Sequence, residues 1–341
     1  LKKNIMWIKS SVKEQKTNRV IDTKQKDIDF NENSLRPKTL QDYVGQTQLK
    51  KHLWVSIASA KVRKTSLEHI LFYWPPGLWK TTLCNIIANE MQANIKTTSG
   101  PAIEKQADLV SILSNLESWD ILFIDEIHRL RPQIEEILYT AMEDFVIDIM
   151  VWAGTGAQSV RMPVNNFTLI WATTKLSSLS SPLRDRFWNV LKLDFYENND
   201  LEKIVSNNSN ALNITLENDL TKAIASRSRW TPRIANRLLK VIRDYHIIWK
   251  EINQKNVFEE IFSDLSIDEL GLDYLDKKYL TTLFEKFGWG PVGLWTLSSS
   301  IWEEEATLED VVEPYLLQIW FLERSSRWRK ITDSAILHLR K

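Results

Sequence analysis

Glycine is scarce in this chain: it supplies 9 of 341 residues, where an ordinary protein carries roughly 7%. So few glycines would leave little room for left-handed turns or for close approach of backbone to a ligand. Cys84 is the single cysteine, which excludes an internal disulfide, fits a reducing cytosol and suits a small apolar packing role. No apolar run approaches the ~18 residues of a membrane-spanning helix, and the first residues lack the apolar core of a signal peptide. The expectation is a soluble, cytoplasmic protein with no membrane partner. Net charge is also missing, with 44 basic and 44 acidic side chains, so contact with nucleic acid would have to come from a local basic patch. A chain that begins on Leu1 rather than Met suggests an alternative start codon or a truncation.

Tryptophan is present in unusual amount, at 15 residues; together with glycine it makes about 7%, an ordinary glycine frequency. The excess matters at His69–Leu83, HILFYWPPGLWKTTL. An apolar strand-like run meets a Pro/Gly turn, and Lys80, Thr81 and Thr82 open a helical segment. This is the layout of a phosphate-binding loop, in which backbone N–H groups and a helix N-terminus wrap a polyphosphate. Lys80 would neutralise the terminal phosphates and the Thr81 hydroxyl would hold Mg²⁺. Yet Trp74 and Trp79 occupy both positions that need glycine. The codon UGA is read as Trp in some lineages and Gly in others, so the expectation is that many of these tryptophans are glycines in the living cell. Trp152 in V-W-A-G-T-G, Trp230 before T-P-R and Trp289 inside F-G-W-G-P-V-G also stand where positive φ or close backbone approach is expected. Trp7, Trp54, Trp119, Trp249 and Trp295 carry no such local signal. Read literally, the tryptophans would be core anchors, and those at 74 and 79 would block the phosphate pocket, leaving a non-catalytic ring scaffold or an unfoldable chain.

With 341 residues and 43% hydrophobic content, the chain can bury a large core in two or three domains. Residues 1–34, rich in Lys, Asn, Gln and Asp, suggest a mobile arm. Beyond a helix over 47–64, apolar and helical segments alternate: strand 69–73, helix 80–91, strand 94–98, helix 103–116, strand 121–125, helix 133–142, a hairpin over 145–162 and strand 167–173. That alternation predicts an α/β fold with a mostly parallel sheet. An all-helical region follows at about 198–266. Residues 267–341 predict helices near 294–301 and 307–317, then two short strands about Ser325–Ser326.

Ile121–Glu126 (ILFIDE) is an apolar strand that would deliver two carboxylates to the C-terminal edge of the sheet. Asp125 would hold Mg²⁺ through water, and Glu126 would orient or deprotonate an attacking water. Thr173 or Thr174, closing another apolar strand, would sense the γ-phosphate. Arg184 and Arg186 in SPLRDRF could reach a neighbouring subunit's nucleotide or form a surface ion pair. Arg233, at the start of a helix opened by Pro232, would fold back onto the phosphates and couple nucleotide state to domain angle.

From Leu35 onward the segments LRPKTLQDYVGQ, PPGL-KTTL, TTSGPAIEK, DILFIDEIHRL, AMEDF, SPLRDRF, TPRIANRLL, GPVGL and EPYLLQ resemble the RuvB family, bacterial AAA+ motors that drive branch migration of Holliday junctions. The resemblance implies an AAA+ P-loop core at 35–196, a helical lid at 197–266 and a winged-helix head at 267–341. It places Trp74, Trp79, Trp152, Trp171, Trp188, Trp230, Trp289, Trp302, Trp320 and Trp328 where the family has glycine. It implies that ATP and Mg²⁺ are bound: Leu35 and Arg36 cradle the base with Tyr196 nearby, Gly77, Lys80, Thr81 and Thr82 take the phosphates and Mg²⁺, and Glu143, Asp144 and Phe145 line the nucleotide. Arg186, rather than Arg184, matches the trans-acting arginine finger and Arg233 the second sensor. Partners implied are duplex DNA and Holliday junctions, a homo-hexameric ring, RuvC, and RuvA through the hairpin 145–161, whose Val146, Ile147, Ile149, Met150 and Val151 would supply a contact face. Arg324, Arg327, Arg329 and Lys330 would meet DNA phosphates, with Glu303–Glu305, Glu309 and Asp310 on an opposite, solvated face. A clamp-loader-like AAA+ remodelling ATPase is the rival within the class, since fold does not dictate function.

Overall fold

The computed structural model describes residues 35–73, 80–127, 130–150, 159–173, 184, 186, 187, 189–249 and 251–340. Trp74, Gly77, Trp79, Trp152, Thr174 and Trp188 therefore lie outside the described residues, as does the arm 1–34. Pro37–Lys341 forms one compact unit, separate from Leu1–Arg36.

Helix α1 (Thr47–Arg63) precedes an alternation of β1 (Ile70–Tyr73), α2 (Lys80–Met91), β2 (Ile95–Ser99), α3 (Gln106–Ser114), β3 (Ile121–Asp125) and α4 (Pro132–Glu143). A hairpin of β4 (Val146–Met150) and β5 (Ser159–Pro163) follows, then β6 (Thr168–Thr173) and β7 (Asn189–Lys192). The five-stranded sheet runs β2-β3-β6-β1-β7 and is parallel throughout. Its central strands carry continuous apolar runs because both faces are covered, and the period of two sorts them. Ile70, Phe72, Ile121, Phe123, Ile170 and Ala172 enter one core cluster, while Leu71, Leu122, Ile124, Leu169 and Trp171 enter the other.

The helices α5 (Asn198–Ala211), α6 (Asn218–Ser226), α7 (Pro232–Trp249) and α8 (Lys255–Asp264) come next. A third core cluster belongs to α9 (Tyr274–Phe287), α10 (Leu294–Ile301), a helical run ending in α11 (Glu313–Gln318), the strands β8 (Leu322–Arg324) and β9 (Arg329–Ile331), and α12 (Asp333–Leu339). The β8–β9 pair is antiparallel and Val292 bridges to Arg329, the build of a winged helix.

The backbone speaks directly to the tryptophans. Trp230, Trp289, Trp302 and Trp320 sit at φ of 54°, 77°, 63° and 60°, and so does Trp119 at 77°. Left-handed backbone costs an L-residue roughly 1–2 kcal/mol. Trp302 terminates α10 at the left-handed position, its N–H bonded to Ser298 O at 2.8 Å, where helices favour glycine. Two of these side chains stand out in solvent, Trp302 at 89% and Trp320 at 77% exposed, while Trp230 packs against the third core cluster. Of the described tryptophans only Trp171 is fully buried, and its indole nitrogen has no hydrogen-bond partner. At Trp171 and Trp328 the backbone makes no left-handed demand.

Candidate functional site

β1 and β3 both end at the C-terminal edge of the sheet, separated by β6. Lys80 takes the first position of α2 and β3 ends on Asp125; Lys80 Nζ lies 3.2 Å from Asp125 Oδ1. The same oxygen accepts the Glu126 backbone N–H at 2.9 Å. Glu126 itself is left-handed at φ 51°, a conformation that bulky residues hold at functional sites when the surroundings enforce it. Thr173, the last residue of β6, is wholly buried between the two strand ends. Of the two threonines opening α2, Thr82 is buried, so its hydroxyl is turned into the core, while Thr81 is half-buried. Cys84 is buried behind them, and burial holds its thiol well above the usual range.

Asp125 and Thr81 offer hard oxygen donors, the kind Mg²⁺ selects. With an ammonium beside the carboxylate and a helix N-terminus next to it, the edge is electrostatically suited to a polyphosphate and its cation.

Arg186 lies elsewhere. It precedes β7, whose first residue Asn189 registers with Ile70 at the beginning of β1. The guanidinium forks onto Glu143, with Nε 2.8 Å from Oε1 and Nη2 3.3 Å from Oε2, and covers the Tyr139 ring at 4.7 Å. Phe145 packs on His69 and Phe167, which precede β1 and β6. Glu143, Phe145 and Arg186 thus gather at the N-terminal edge of the sheet. Within one chain these residues and Lys80 lie at opposite edges of the sheet, the length of the four-residue β1 apart.

Leu35 is buried and Arg36 half-buried. Tyr196 is buried, donating its backbone N–H to Trp230 O at 3.1 Å and standing so close to Gly45 that a Cβ there would fall 3.1 Å from its ring. Arg233 is exposed on the first turn of α7.

In the hairpin, Ile147 is fully buried in the second core cluster and is not a contact residue, a correction to the expected face. Val146 is half-buried, and the side chains of Ile149, Met150 and Val151 lie outside the described residues. Val160, paired with Ile149, is exposed. Arg161 pairs with Asp148 at 3.2 Å.

The wing also departs from expectation. Arg329 is 4% exposed and turned inward, its Nε 2.8 Å from Glu313 Oε1, so it does not face DNA. Arg324 is partly exposed and also bound to Glu313, at 2.8 Å. Glu313 is fully buried and takes a third hydrogen bond from Tyr279 Oη at 2.9 Å. Burial, with Glu313 next to it, raises the Tyr279 phenol above its ordinary range. Glu309, expected on an opposite face, instead approaches Arg324 and Arg329 at 3.8 and 3.7 Å. Arg327 in the turn and Lys330 on β9 are also exposed.

Comparison with known proteins matches every part of this architecture. Residues 35–193 fit the model of the RuvB P-loop domain of Holliday junction DNA helicases, 196–273 the RuvB AAA lid domain and 269–340 the RuvB C-terminal winged helix domain. The Holliday junction branch migration complex subunit RuvB of Dehalococcoides mccartyi (strain CBDB1) is 51% identical over 307 residues, 90% of this chain and 88% of that protein. The Thermotoga maritima RuvB Holliday junction branch migration motor is 44% identical, covers 90% of this chain and 98% of its own, and superposes with a TM-score of 0.80. A second Thermotoga maritima RuvB structure, of a variant, gives 45% identity and a TM-score of 0.81. The chain belongs to the RuvB family, P-loop AAA+ ATPases that act as the motor of Holliday junction branch migration.

Proposed function

We propose that this chain hydrolyses ATP with Mg²⁺ in a homo-hexameric ring that translocates duplex DNA, docks on RuvA and works with RuvC on the junction. Arg186 lying at the opposite sheet edge from Lys80 and Asp125 supports this most directly. An arginine that cannot reach its own phosphates is useful to a neighbour's, and a closed ring gives each site one such neighbour.

In this reading Lys80 binds the phosphate oxygens, and the backbone of Thr81 and Thr82 wraps them. Thr81 and Asp125 hold the cation, which when bound shields charge on the transferring phosphoryl group. Glu126 positions a water and takes its proton. Arg186, released from Glu143, stabilises charge at the next subunit's site, so Glu143–Phe145 belong to the face offered to that neighbour. Leu35, Arg36 and Tyr196 hold the base, and Arg233 reads the phosphates from the lid. The hairpin 145–161 meets RuvA, and Arg327 and Lys330 of the wing meet DNA phosphates. The protein made in its own cell carries glycine at the ten family positions, which opens the loop at 74 and 79.

The test compares two recombinant versions, one with the tryptophans and one with glycine at those ten positions, for ATP binding and for RuvA-dependent migration of a synthetic junction. Activity confined to the glycine version is expected. Equal nucleotide affinity in both would overturn the recoding, and a glycine version that hydrolyses ATP without moving junctions would point to a remodelling ATPase instead.

A further inference from the structure

A joint between lid and head is built around one side chain that none of the site assignments uses. At the end of α6, Arg227 grips Glu259 of α8 through two bonds of 2.9 and 2.7 Å and covers the Phe262 ring at 4.3 Å, so this corner is fixed within the lid. The chain then passes through two consecutive left-handed residues, Arg229 at 47° and Trp230 at 54°, before Pro232 starts α7. That reversal aims the Arg229 side chain away from the lid and into the head.

There its partners are rigid ones. Arg229 Nε donates to Gly271 O at 2.8 Å. Its Nη2 lies 2.8 Å from Asp273 and in direct contact with Asp276. Those two carboxylates form the capping box of α9: Asp273 is the N-cap, accepting from Leu275 and Asp276 N–H, and Asp276 bonds back to the Asp273 N–H. The guanidinium also lies over the Tyr315 ring at 5.0 Å, and Tyr315 Oη donates to Leu270 O at 2.5 Å. Backbone contact completes the joint, since a Cβ on Gly271 would fall 2.6 Å from Arg227 O, at a φ of 79°. The Arg229 side chain is 12% exposed. Burial raises the Asp276 carboxyl to about 7, and the guanidinium opposes that rise.

Arg233 is exposed four residues further on. We propose that Arg229 is a positioning residue that locks lid and head into one lever, so that motion started by nucleotide at Arg233 reaches the DNA-binding head undiminished. The proposal rests on the reading of Arg233 as the phosphate sensor. A guanidinium that holds the Gly271 carbonyl through Nε and both cap carboxylates through Nη2 resists rotation of α9 about the joint, which a single-point contact would not.

The measurement is base pairs migrated per ATP hydrolysed, made on the full-length glycine version with RuvA and junction DNA. Arg229→Ala is expected to keep ATP turnover within about twofold of the parent while migration per ATP falls roughly tenfold, the scale of one interdomain coupling. Arg229→Lys, which supplies charge without the fork, should recover part of the ratio. Should Arg229→Ala fail to assemble, the isosteric Asp273→Asn carries the same expectation. An unchanged ratio, or ATPase and migration falling in parallel as in a merely destabilised protein, overturns the proposal. Arg233→Ala run beside it separates the two readings: if it leaves both ATPase and migration intact, the sensor assignment fails, whatever the Arg229 ratio shows.

Discussion

At the scale of single residues, the backbone discriminates where letters could not. Local context singles out Trp230 and Trp289, and the family pattern adds Trp302 and Trp320; all four prove left-handed. Trp119 lies in an ordinary-looking S-W-D and escapes both arguments. Its φ of 77°, and an N–H directed at Asn166 O at 2.7 Å, show that the residue turns the chain into β3. Nothing short-range predicts that, because the partner lies on the loop before β6. The expected outcome is therefore glycine at 119 as well as at 74 and 79, read from the mass of native peptides spanning 106–129 and 65–80; tryptophan at 119 would show that strain is tolerated there. The same conformational cost sets a stability prediction: Trp302→Gly and Trp320→Gly should each raise stability by about 1 kcal/mol in urea unfolding, by relieving left-handed strain in solvent-exposed residues. Glu126 is also left-handed, and its proposed task as general base is open to test. Glu126→Gln should leave ATP binding intact and cut kcat by roughly 10²–10⁴-fold in steady-state ATPase assays, the usual value of a general base.

Whole elements were far more legible. The strands at 70–73 and 121–125 and the helices at 80–91 and 294–301 appear at or within a residue of the expected positions, since continuous apolar runs and 3.6-residue periodicity are local properties. What failed was direction within short elements that pack on distant partners. In the wing, Arg324 and Arg329 are directly opposed across β8 and β9, a pairing of like charges that should destabilise the hairpin. Glu313, eleven residues before Arg324, neutralises both from beneath, and no pattern in the wing itself reveals it. The consequence is a division of labour that salt titration of DNA affinity can resolve. Arg327→Ala and Lys330→Ala should each lower the slope of log affinity against log salt by about one phosphate's worth without unfolding the head. Arg329→Ala should instead destabilise the head by roughly 1–3 kcal/mol, because it removes one charged donor from the buried Glu313 carboxylate and leaves Arg324 and Tyr279 to hold it. The hairpin follows the same logic: Ile147 belongs to the core, so a mutation there tests folding, while exposed Val160 is the position at which to test RuvA docking.

For the molecule as a whole, the sheet order decides how many chains a site needs. Strand order β2-β3-β6-β1-β7 brings Lys80 and Asp125 to one edge and leaves Arg186, ahead of β7, at the other. The sequence motifs name all three residues, yet only the topology places Arg186 at the opposite edge from Lys80 and Asp125. In the proposed ring the Lys80 edge of one subunit would pair with the Arg186 edge of the next. Lys80→Ala and Arg186→Ala rings should each be inactive in ATP hydrolysis when made alone. Mixed at equal amounts before assembly, about a quarter of the interfaces join an intact Lys80 loop to an intact Arg186 finger, so ATPase should return above the level of either pure variant. Because the arginine finger contributes to the transition state rather than to nucleotide affinity, the recovered activity should appear in kcat with KM unchanged. A mixture no more active than its parents would mean that Arg186 keeps its bond to Glu143 throughout the cycle, and that the charge at the phosphoryl group is met from within a single chain.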